Sequence, residues 1–256
     1  MTKAYLKEIF SGIQGEGLWV GYRQIFVRFL GCDLRCNWCD TPESLQIKQE
    51  SPFSFEKTAG ERDFAISDNP VSLEDLCQLI VNLDQKVNHH SISLTGGEPL
   101  LQADFIKVFL TKLKNNFDFK PLIYLETGGH KPKELQKIVQ IIDFISFDLK
   151  LPSSTLEKPL WEQHKEFIKI AKTKKGYAKA VLTAQTTMDD LKIACDLLKN
   201  SPFEMILQVV SQIPNKTNYA IPLPEQIIEW QNYVIKVLGS QRVRVMPQTQ
   251  KFIGQL

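Results

Sequence analysis

Residues 91–99 read Ser91-Ile92-Ser93-Leu94-Thr95-Gly96-Gly97-Glu98-Pro99, a short apolar strand that runs into a tight glycine turn. A stretch with apolar residues three and four apart follows, which predicts a helix. The same strand–helix unit recurs along the chain, and the apolar run Gln24–Leu30 precedes it. The other predicted strands are Leu122–Glu126, Phe144–Asp148, Lys179–Thr183, Met205–Val210 and Val243–Met246.

This alternation of strands and helices predicts βαβ units around a mostly parallel sheet. Six or seven strands are too few for a closed eight-stranded barrel. We therefore predict an α/β fold with a partial, open β/α barrel. We expect one domain over residues 1–256, with an excursion at about 42–70, where Pro52, Gly60 and Pro70 interrupt the pattern.

The composition is that of an ordinary globular protein. The 31 basic and 29 acidic residues nearly balance, so charge gives no reason to expect a nucleic-acid or membrane partner. No run of apolar residues is long enough to cross a bilayer. The first residues also lack the apolar segment of a secretory signal, and we expect a cytoplasmic protein.

Three of the five cysteines lie close together, as Cys32, Cys36 and Cys39 in a C-x3-C-x2-C pattern after a predicted strand. Three thiolates on one loop can ligate three irons of a [4Fe–4S] cluster and leave the fourth iron open. The alternative is a zinc site, which needs a fourth ligand. The candidates for that ligand are the histidines His89, His90, His130 and His164. Cys77 and Cys195 lie in helical apolar patterns, and we expect both in the core.

An aromatic residue, Trp38, precedes the last cysteine of the motif. This pattern resembles the signature of radical S-adenosylmethionine (SAM) enzymes, and Thr95–Pro99 resembles the GGE motif of the same superfamily. The resemblance implies a [4Fe–4S] cluster, SAM bound at its open iron, and the partial barrel typical of these enzymes. It assigns five residues to SAM: Trp38, Cys39, Asp40, Gly97 and Glu98.

Later strand ends supply further candidate SAM contacts. A carboxylate there, Glu126 or Asp148, can accept hydrogen bonds from ribose hydroxyls, and Lys150 can meet the methionine carboxylate. Thr127 and Gln208 complete the expected set. The alternative is that these residues are only solvated strand ends.

The segment before the cysteines narrows the family. Phe10-Ser11-Gly12-Ile13-Gln14-Gly15-Glu16-Gly17, then Arg28, then Cys39-Asp40-Thr41, resembles 7-carboxy-7-deazaguanine synthases. These lyases convert 6-carboxy-5,6,7,8-tetrahydropterin to 7-carboxy-7-deazaguanine with loss of ammonia, on the route to queuosine and related 7-deazapurines in tRNA modification. The resemblance runs from Gln14 to Leu256.

The resemblance also implies a substrate site. Arg28 would bind the substrate carboxylate, for which an ordinary salt bridge is the alternative. Thr41 would ligate a Mg²⁺ ion that also holds the substrate. No side chain is implied as acid or base, since the cofactor performs the radical chemistry. The other implied substrate contacts are Ile13, Gln14, Gly15, Glu16, Thr95, Gln250 and Leu256.

The chain departs from the family at two places. Asp148-Leu149-Lys150 replaces a common Ser-Pro-Lys and is closer to glycyl-radical activating enzymes, and Gln250 replaces a histidine. The competing functions are therefore such an activating enzyme, which acts on a protein, and a zinc-binding module without catalysis. We also expect an electron donor such as flavodoxin or ferredoxin, and a homodimer.

Overall fold

A computed structural model of the chain describes residues 3–47, 51–116, 120–212 and 218–255. Its strands are β1 Lys3–Ala4, β2 Leu6–Ile13, β3 Arg23–Phe29, β4 Phe53–Glu56, β5 Phe64–Ser67, β6 Val71–Ser72, β7 Ser91–Gly96, β8 Leu122–Thr127, β9 Phe144–Asp148, β10 Lys175–Leu182, β11 Glu204–Val209 and β12 Val243–Met246. Its α-helices are α1 Leu73–Asp84, α2 Ala103–Asn116, α3 Pro132–Ile138, α4 Pro152–Thr155, α5 Trp161–Ala171, α6 Met188–Leu198 and α7 Pro224–Leu238.

A ten-stranded sheet forms the centre of the described structure, in the order β12-β11-β10-β9-β8-β7-β3-β2-β4-β5. The strands from β12 to β3 are all parallel, with helices between most of them. The two end strands, β12 and β5, do not pair with each other in the described ranges, so the sheet stays open. This confirms the predicted partial barrel with a mostly parallel sheet.

The strands of this sheet that the sequence did not predict lie at one side of it, and two further unpredicted strands, β1 and β6, pair with each other in a separate sheet. Strand β2 pairs antiparallel with β3, and the hairpin β4–β5 from the excursion adds to β2 through parallel pairing of β4. These hairpin strands have four residues each, too short for a periodic pattern to stand out. Strand β10 also begins earlier than predicted, at Lys175, because its first residues, Lys and Gly, are weak strand formers.

The helices bury one apolar stripe against the sheet. On α2, Phe105 and Phe109 are fully buried, whereas Val108 is 44% exposed. Helix α1 begins directly after Ser72, whose hydroxyl caps the helix by accepting from the N–H of Asp75 at 3.1 Å. Cys77 and Cys195 are both fully buried, as expected of core thiols. No helix in the described ranges is both long and apolar enough to cross a membrane.

Candidate active site

A cavity of about 480 Å³ opens where the parallel strands end, the usual place for a ligand site in such sheets. Leu256 lies outside the described residues. All other site residues expected from the sequence line this cavity: Ile13, Gln14, Gly15, Glu16, Arg28, Cys32, Cys36, Trp38, Cys39, Asp40, Thr41, Thr95, Gly97, Glu98, Glu126, Thr127, Asp148, Lys150, Gln208 and Gln250.

The cysteine loop follows β3 and forms one wall of the cavity. Cys32, Cys36 and Cys39 are all half-buried. Burial raises the pKa of the Cys32 thiol to about 11 and also raises that of Cys36. A metal that binds these sulfurs must therefore displace their protons. Within the described ranges, no three His, Cys, Asp or Glu side chains are grouped so as to hold a single metal ion.

The glycine turn after β7 packs directly against the start of the cysteine loop. The N–H of Gly97 donates to the carbonyl of Phe29 at 3.1 Å, and the N–H of Glu98 donates to that of Gly31 at 2.7 Å. A Cβ on Gly97 would lie 2.3 Å from the Gly31 oxygen, so only glycine allows this approach. The cysteine loop and the glycine turn thus form one continuous structure.

The carboxylate of Glu98 joins the ends of β7 and β8. It is 1% exposed and accepts from the Thr127 hydroxyl at 2.7 Å and from the N–H of Gly128 at 2.8 Å. The N–H of Leu100 donates to it as well, at 3.0 Å. The Glu98 carboxylate therefore forms its hydrogen bonds with other groups of the protein, although the residue lines the cavity.

Four alternating charges run across the cavity floor, and we call them the charge row: Glu16, Lys179, Asp148 and Lys150. The Lys179 Nζ lies 2.5 Å from Glu16 Oε2 and 3.3 Å from Asp148 Oδ1. Lys150 Nζ lies 2.5 Å from Asp148 Oδ2. No side chain of the row is more than 15% exposed.

Mutual attraction within the charge row outweighs the cost of burial. Burial alone would raise the pKa of Asp148, but Lys150 and Lys179 hold it below its usual value. Burial alone would lower the pKa of Lys150, but the Asp148 carboxylate raises it instead. Asp148 and Lys150 are therefore both charged at neutral pH.

Trp38 and His164 fix the position of Lys150. The Trp38 indole N–H donates to the Ser154 hydroxyl at 2.8 Å, and Lys150 Nζ lies 4.7 Å from the indole ring centroid. The backbone N–H of Lys150 donates to His164 Nε2 at 3.1 Å. The other ring nitrogen, His164 Nδ1, donates to the carbonyl of Gly129 at 2.8 Å. Burial lowers the pKa of His164 to about 4, so the ring is neutral.

The carboxylate of Glu126, a residue expected to contact SAM, is hydrogen-bonded to Gln14 and Thr95, two residues expected to contact substrate. Its carboxylate accepts from Gln14 Nε2 at 2.9 Å, from the Ser93 hydroxyl at 2.8 Å and from the Thr95 hydroxyl at 3.3 Å. Burial and then the charge of Glu16 raise the pKa of Glu126. Glu126 is thus a cavity carboxyl whose proton is bound more tightly than usual.

Arg28 forms a salt bridge within the protein and also lines the cavity. Its Nε donates to Glu8 Oε1 at 2.7 Å, which is an ordinary salt bridge. Its side chain also lines the cavity, and the β3–β7 register sets it opposite Thr95. Thr41 lies beside the cysteines, with its hydroxyl 4.0 Å from the Cys39 sulfur.

The segment after β12 closes the cavity on the Glu16 side. Gln248 Nε2 donates to Glu16 Oε1 at 2.7 Å and to Asp40 Oδ2 at 2.9 Å, and Gln250 Nε2 lies 3.4 Å from the same Glu16 oxygen. A Cβ on Gly15 would lie 2.0 Å from Gln250 Oε1. Glycine at this position therefore lets the two segments meet.

Two buried amide oxygens in the cavity wall have no hydrogen-bond partner within the described structure, Gln208 Oε1 and Gln250 Oε1. Unpaired buried acceptors are rare and costly in proteins, so they mark places where a ligand's N–H or O–H groups fit. Together with three sulfurs on one wall, this donor set suits an iron–sulfur cluster and a polar organic ligand.

Sequence reasoning missed Lys179 and Gln248. Lys179 is a cation in the interior of an apolar strand, between Ala178 and Ala180, and that contrast was the available signal. Gln248 belongs to the C-terminal motif, in which only Gln250 had been singled out. Both donate to Glu16.

Residues 26–198 match the family model described as the radical SAM superfamily. The 7-carboxy-7-deazaguanine synthase of Geobacter sulfurreducens is 36% identical to this chain, over 99% of the chain and 98% of that protein. The enzyme of the same name from Thermococcus kodakarensis is 31% identical, over 99% of this chain and all of that protein.

Solved structures share the fold at low sequence identity. The structure titled QueE from Escherichia coli superposes with a TM-score of 0.58 at 18% identity, covering 96% of this chain and 94% of that one. A radical SAM methyltransferase from Sphaerobacter thermophilus gives a TM-score of 0.60 at 12% identity, covering 88% of this chain and 66% of that one. Since the family model covers most of the chain and named relatives align with it from end to end, the chain belongs to the 7-carboxy-7-deazaguanine synthase family of the radical SAM superfamily.

Proposed function

We propose that this protein converts 6-carboxy-5,6,7,8-tetrahydropterin to 7-carboxy-7-deazaguanine with loss of ammonia, as a radical SAM lyase in the pathway to queuosine. One observation carries the proposal: the three cysteines, the expected SAM contacts and the expected substrate contacts line one cavity. The full-length similarity to synthases of this name supports the choice of substrate.

Cys32, Cys36 and Cys39 would each hold one iron of a [4Fe–4S] cluster. When bound there, the cluster and SAM would supply radical chemistry, namely abstraction of a hydrogen atom from C6 of the pterin. Lys150 would bind the methionine carboxylate, since its ammonium is held at the cavity wall between Asp148 and the Trp38 ring.

The substrate would lie between the charge row and the C-terminal segment. Glu16 is held in place by Lys179 and Gln248 and can accept hydrogen bonds from pterin N–H groups. The unpaired Oε1 of Gln250 offers one more acceptor. Arg28 can bind the substrate carboxylate, because a guanidinium has donors beyond the Nε used by Glu8.

Although the resemblance implies no side-chain acid or base, we assign the handling of one proton to Glu126. The ring contraction ends with loss of ammonia, which requires a proton on the departing nitrogen. A buried carboxyl with a raised pKa can hold that proton and release it within the cavity. Its hydrogen bonds to Gln14, Ser93 and Thr95 fix its orientation.

A Mg²⁺ ion would bind near Thr41 and the substrate carboxylate. Mg²⁺ prefers hard oxygen ligands and usually retains several waters. The Thr41 hydroxyl and one substrate carboxylate are therefore enough ligands, because water fills the remaining coordination positions. The ion would orient the substrate and neutralise its carboxylate.

We further propose a cytoplasmic homodimer that takes electrons from a small protein such as flavodoxin or ferredoxin. The cysteine loop exposes Asp33 and Arg35, which gives a charged partner surface close to the cluster position. Because the basic and acidic residues of the chain nearly balance, we propose no nucleic-acid partner.

The test is an anaerobic assay with iron-loaded protein, SAM, dithionite and 6-carboxytetrahydropterin, followed by mass spectrometry. We expect 7-carboxy-7-deazaguanine from the parent and none from Cys36→Ala. Reductive cleavage of SAM without any pterin product would favour a glycyl-radical activating enzyme. A protein that takes up zinc in place of iron and never cleaves SAM would favour the non-catalytic zinc module.

A further inference from the structure

Lys179 occupies the junction between the two groups of expected ligand contacts. Its ammonium contacts Glu16, which belongs to the substrate side, and Asp148, which belongs to the SAM side. The β9–β10 register sets Lys179 directly opposite Asp148. The lysine side chain is 13% exposed, so little water competes for its donors.

A single buried cation shared by two carboxylates makes those carboxylates dependent on each other. Without Lys179, Glu16 would keep only amide donors, and Asp148 would keep Lys150 alone. Removing one partner from a buried ion network leaves an uncompensated charge, which is costly. A ligand that changes the position of one carboxylate therefore also changes how strongly Lys179 binds the other carboxylate.

We propose that Lys179 is a positioning residue that couples the binding of substrate to the binding of SAM. The identity of the two ligands rests on the proposed function. The coupling itself rests on the contacts of Lys179 with Glu16 and Asp148.

Because positive and negative charges alternate along the charge row, we expect each ligand to strengthen the binding of the other. A pterin whose N–H groups bind Glu16 competes with Lys179 for that carboxylate. Lys179 then shifts its attraction toward Asp148, to which its present bond is the longer one, at 3.3 Å. Asp148 in turn loosens its bond to Lys150, whose ammonium becomes available to an anionic ligand such as the methionine carboxylate. Substrate should thus tighten SAM binding, and SAM should tighten substrate binding by the same factor.

The experiment measures equilibrium binding to the anaerobic, iron-loaded protein without reductant, so that no turnover occurs. The dissociation constant of SAM is determined with and without saturating 6-carboxytetrahydropterin, and that of the pterin with and without saturating SAM. For the parent we expect each ligand to lower the other's dissociation constant at least about five-fold. For Lys179→Met we expect less than about two-fold, even where both affinities fall.

Two further variants separate coupling from general damage. Lys175→Met removes an exposed lysine from the start of the same strand and should keep the parental coupling. Lys179→Gln keeps two N–H donors but no charge, is the safer variant for folding, and should also show less than about two-fold coupling. Iron content is measured for every variant, because a merely structural role would lower iron content and both affinities without changing the coupling factor.

The outcomes distinguish this inference from the proposed function. If the parent bound SAM but no pterin, the proposed function would fail, and the inference with it. If the parent bound both ligands without mutual enhancement, only the inference would be overturned. It would likewise be overturned if Lys179→Met or Lys179→Gln kept the parental coupling factor.

Discussion

At the scale of single residues, the three loop cysteines are the first groups to change. We expect Cys32→Ala, Cys36→Ala and Cys39→Ala each to remove the cluster and all turnover, because each thiolate would hold one iron. Iron content and visible absorbance of anaerobically prepared protein give the measurement.

The matched controls are the two core thiols. Cys77→Ala and Cys195→Ala each leave a small cavity in the core, with a cost on the order of 1 kcal/mol in the free energy of unfolding. Both should keep full iron content. Iron loss in either control, or full iron in one of the loop variants, would show that the ligands are assigned wrongly.

Thr41 tests the choice of family member. If its hydroxyl ligates Mg²⁺, Thr41→Ala should lose most of the stimulation of turnover by Mg²⁺, whereas Thr41→Ser should retain it because the oxygen remains. Iron content must be equal in the two variants, since Thr41 lies beside Cys39. Equal stimulation of both variants would remove Thr41 from the metal site.

His164 makes stability depend on pH. Its pKa of about 4 in the folded protein is below the value of about 6.5 in an unfolded chain, so its contribution is complete above pH 6.5 and is lost as pH falls toward 4. Between pH 7 and pH 5 the parent should lose about 2 kcal/mol more than His164→Gln, measured by urea unfolding. Identical pH dependence of the two proteins would contradict a buried, neutral His164.

The sequence predicts the location of a single residue well where its position along a strand determines which edge of the sheet it reaches. Residues at the carboxyl ends of parallel strands must meet at one edge of the sheet, and Thr95, Glu126 and Asp148 do so. The partners of such residues are harder to predict. Sequence position does not predict that Glu126 contacts Gln14, because that contact joins β8 to the loop after β2, far away in the chain.

At the scale of elements, the meeting of the Gly15 loop with the C-terminal segment is the feature most open to test. Gly15→Ala would place a Cβ 2.0 Å from Gln250 Oε1 and 2.5 Å from the Gln250 backbone nitrogen. Backbone cannot yield as a side chain can, so the segment must move away from Glu16. We expect pterin affinity to fall at least about ten-fold, or about 1.4 kcal/mol, with iron content unchanged.

A milder variant of the same contact serves as the control. Thr249→Val removes the hydroxyl bond to the Gly15 carbonyl but keeps the backbone N–H bond of 2.9 Å, so pterin affinity should change little. If Gly15→Ala bound the pterin as tightly as the parent, the C-terminal segment would have no part in the substrate site.

Elements differ in how well the sequence predicts them. The parallel strands bury both faces and give continuous apolar runs, which stand out. The hairpin β4–β5 has an exposed second strand, with Ile66 74% exposed, and so lacks a buried pattern to detect. Only its pairing with β2 shows that the excursion continues the sheet.

At the scale of the whole molecule, the open sheet brings the cysteine loop and the residues expected to contact substrate to one edge. The cysteine loop follows β3, the glycine turn follows β7, and the charge row spans from the Gly15 loop to β9 and β10. The sequence predicts that these parts meet, since parallel strands align their ends. It does not predict the C-terminal closure over Glu16, which depends on side-chain contacts across the full length of the chain.

The central claim is that this cavity places C6 of the pterin against the radical that SAM supplies. The most direct measurement uses 6-carboxytetrahydropterin deuterated at C6, with mass spectrometry of the 5′-deoxyadenosine formed in the anaerobic reaction. We predict that deuterium appears in 5′-deoxyadenosine when the deuterated substrate is used, and that 7-carboxy-7-deazaguanine forms alongside it. Unlabelled 5′-deoxyadenosine throughout, with or without product, would contradict the account.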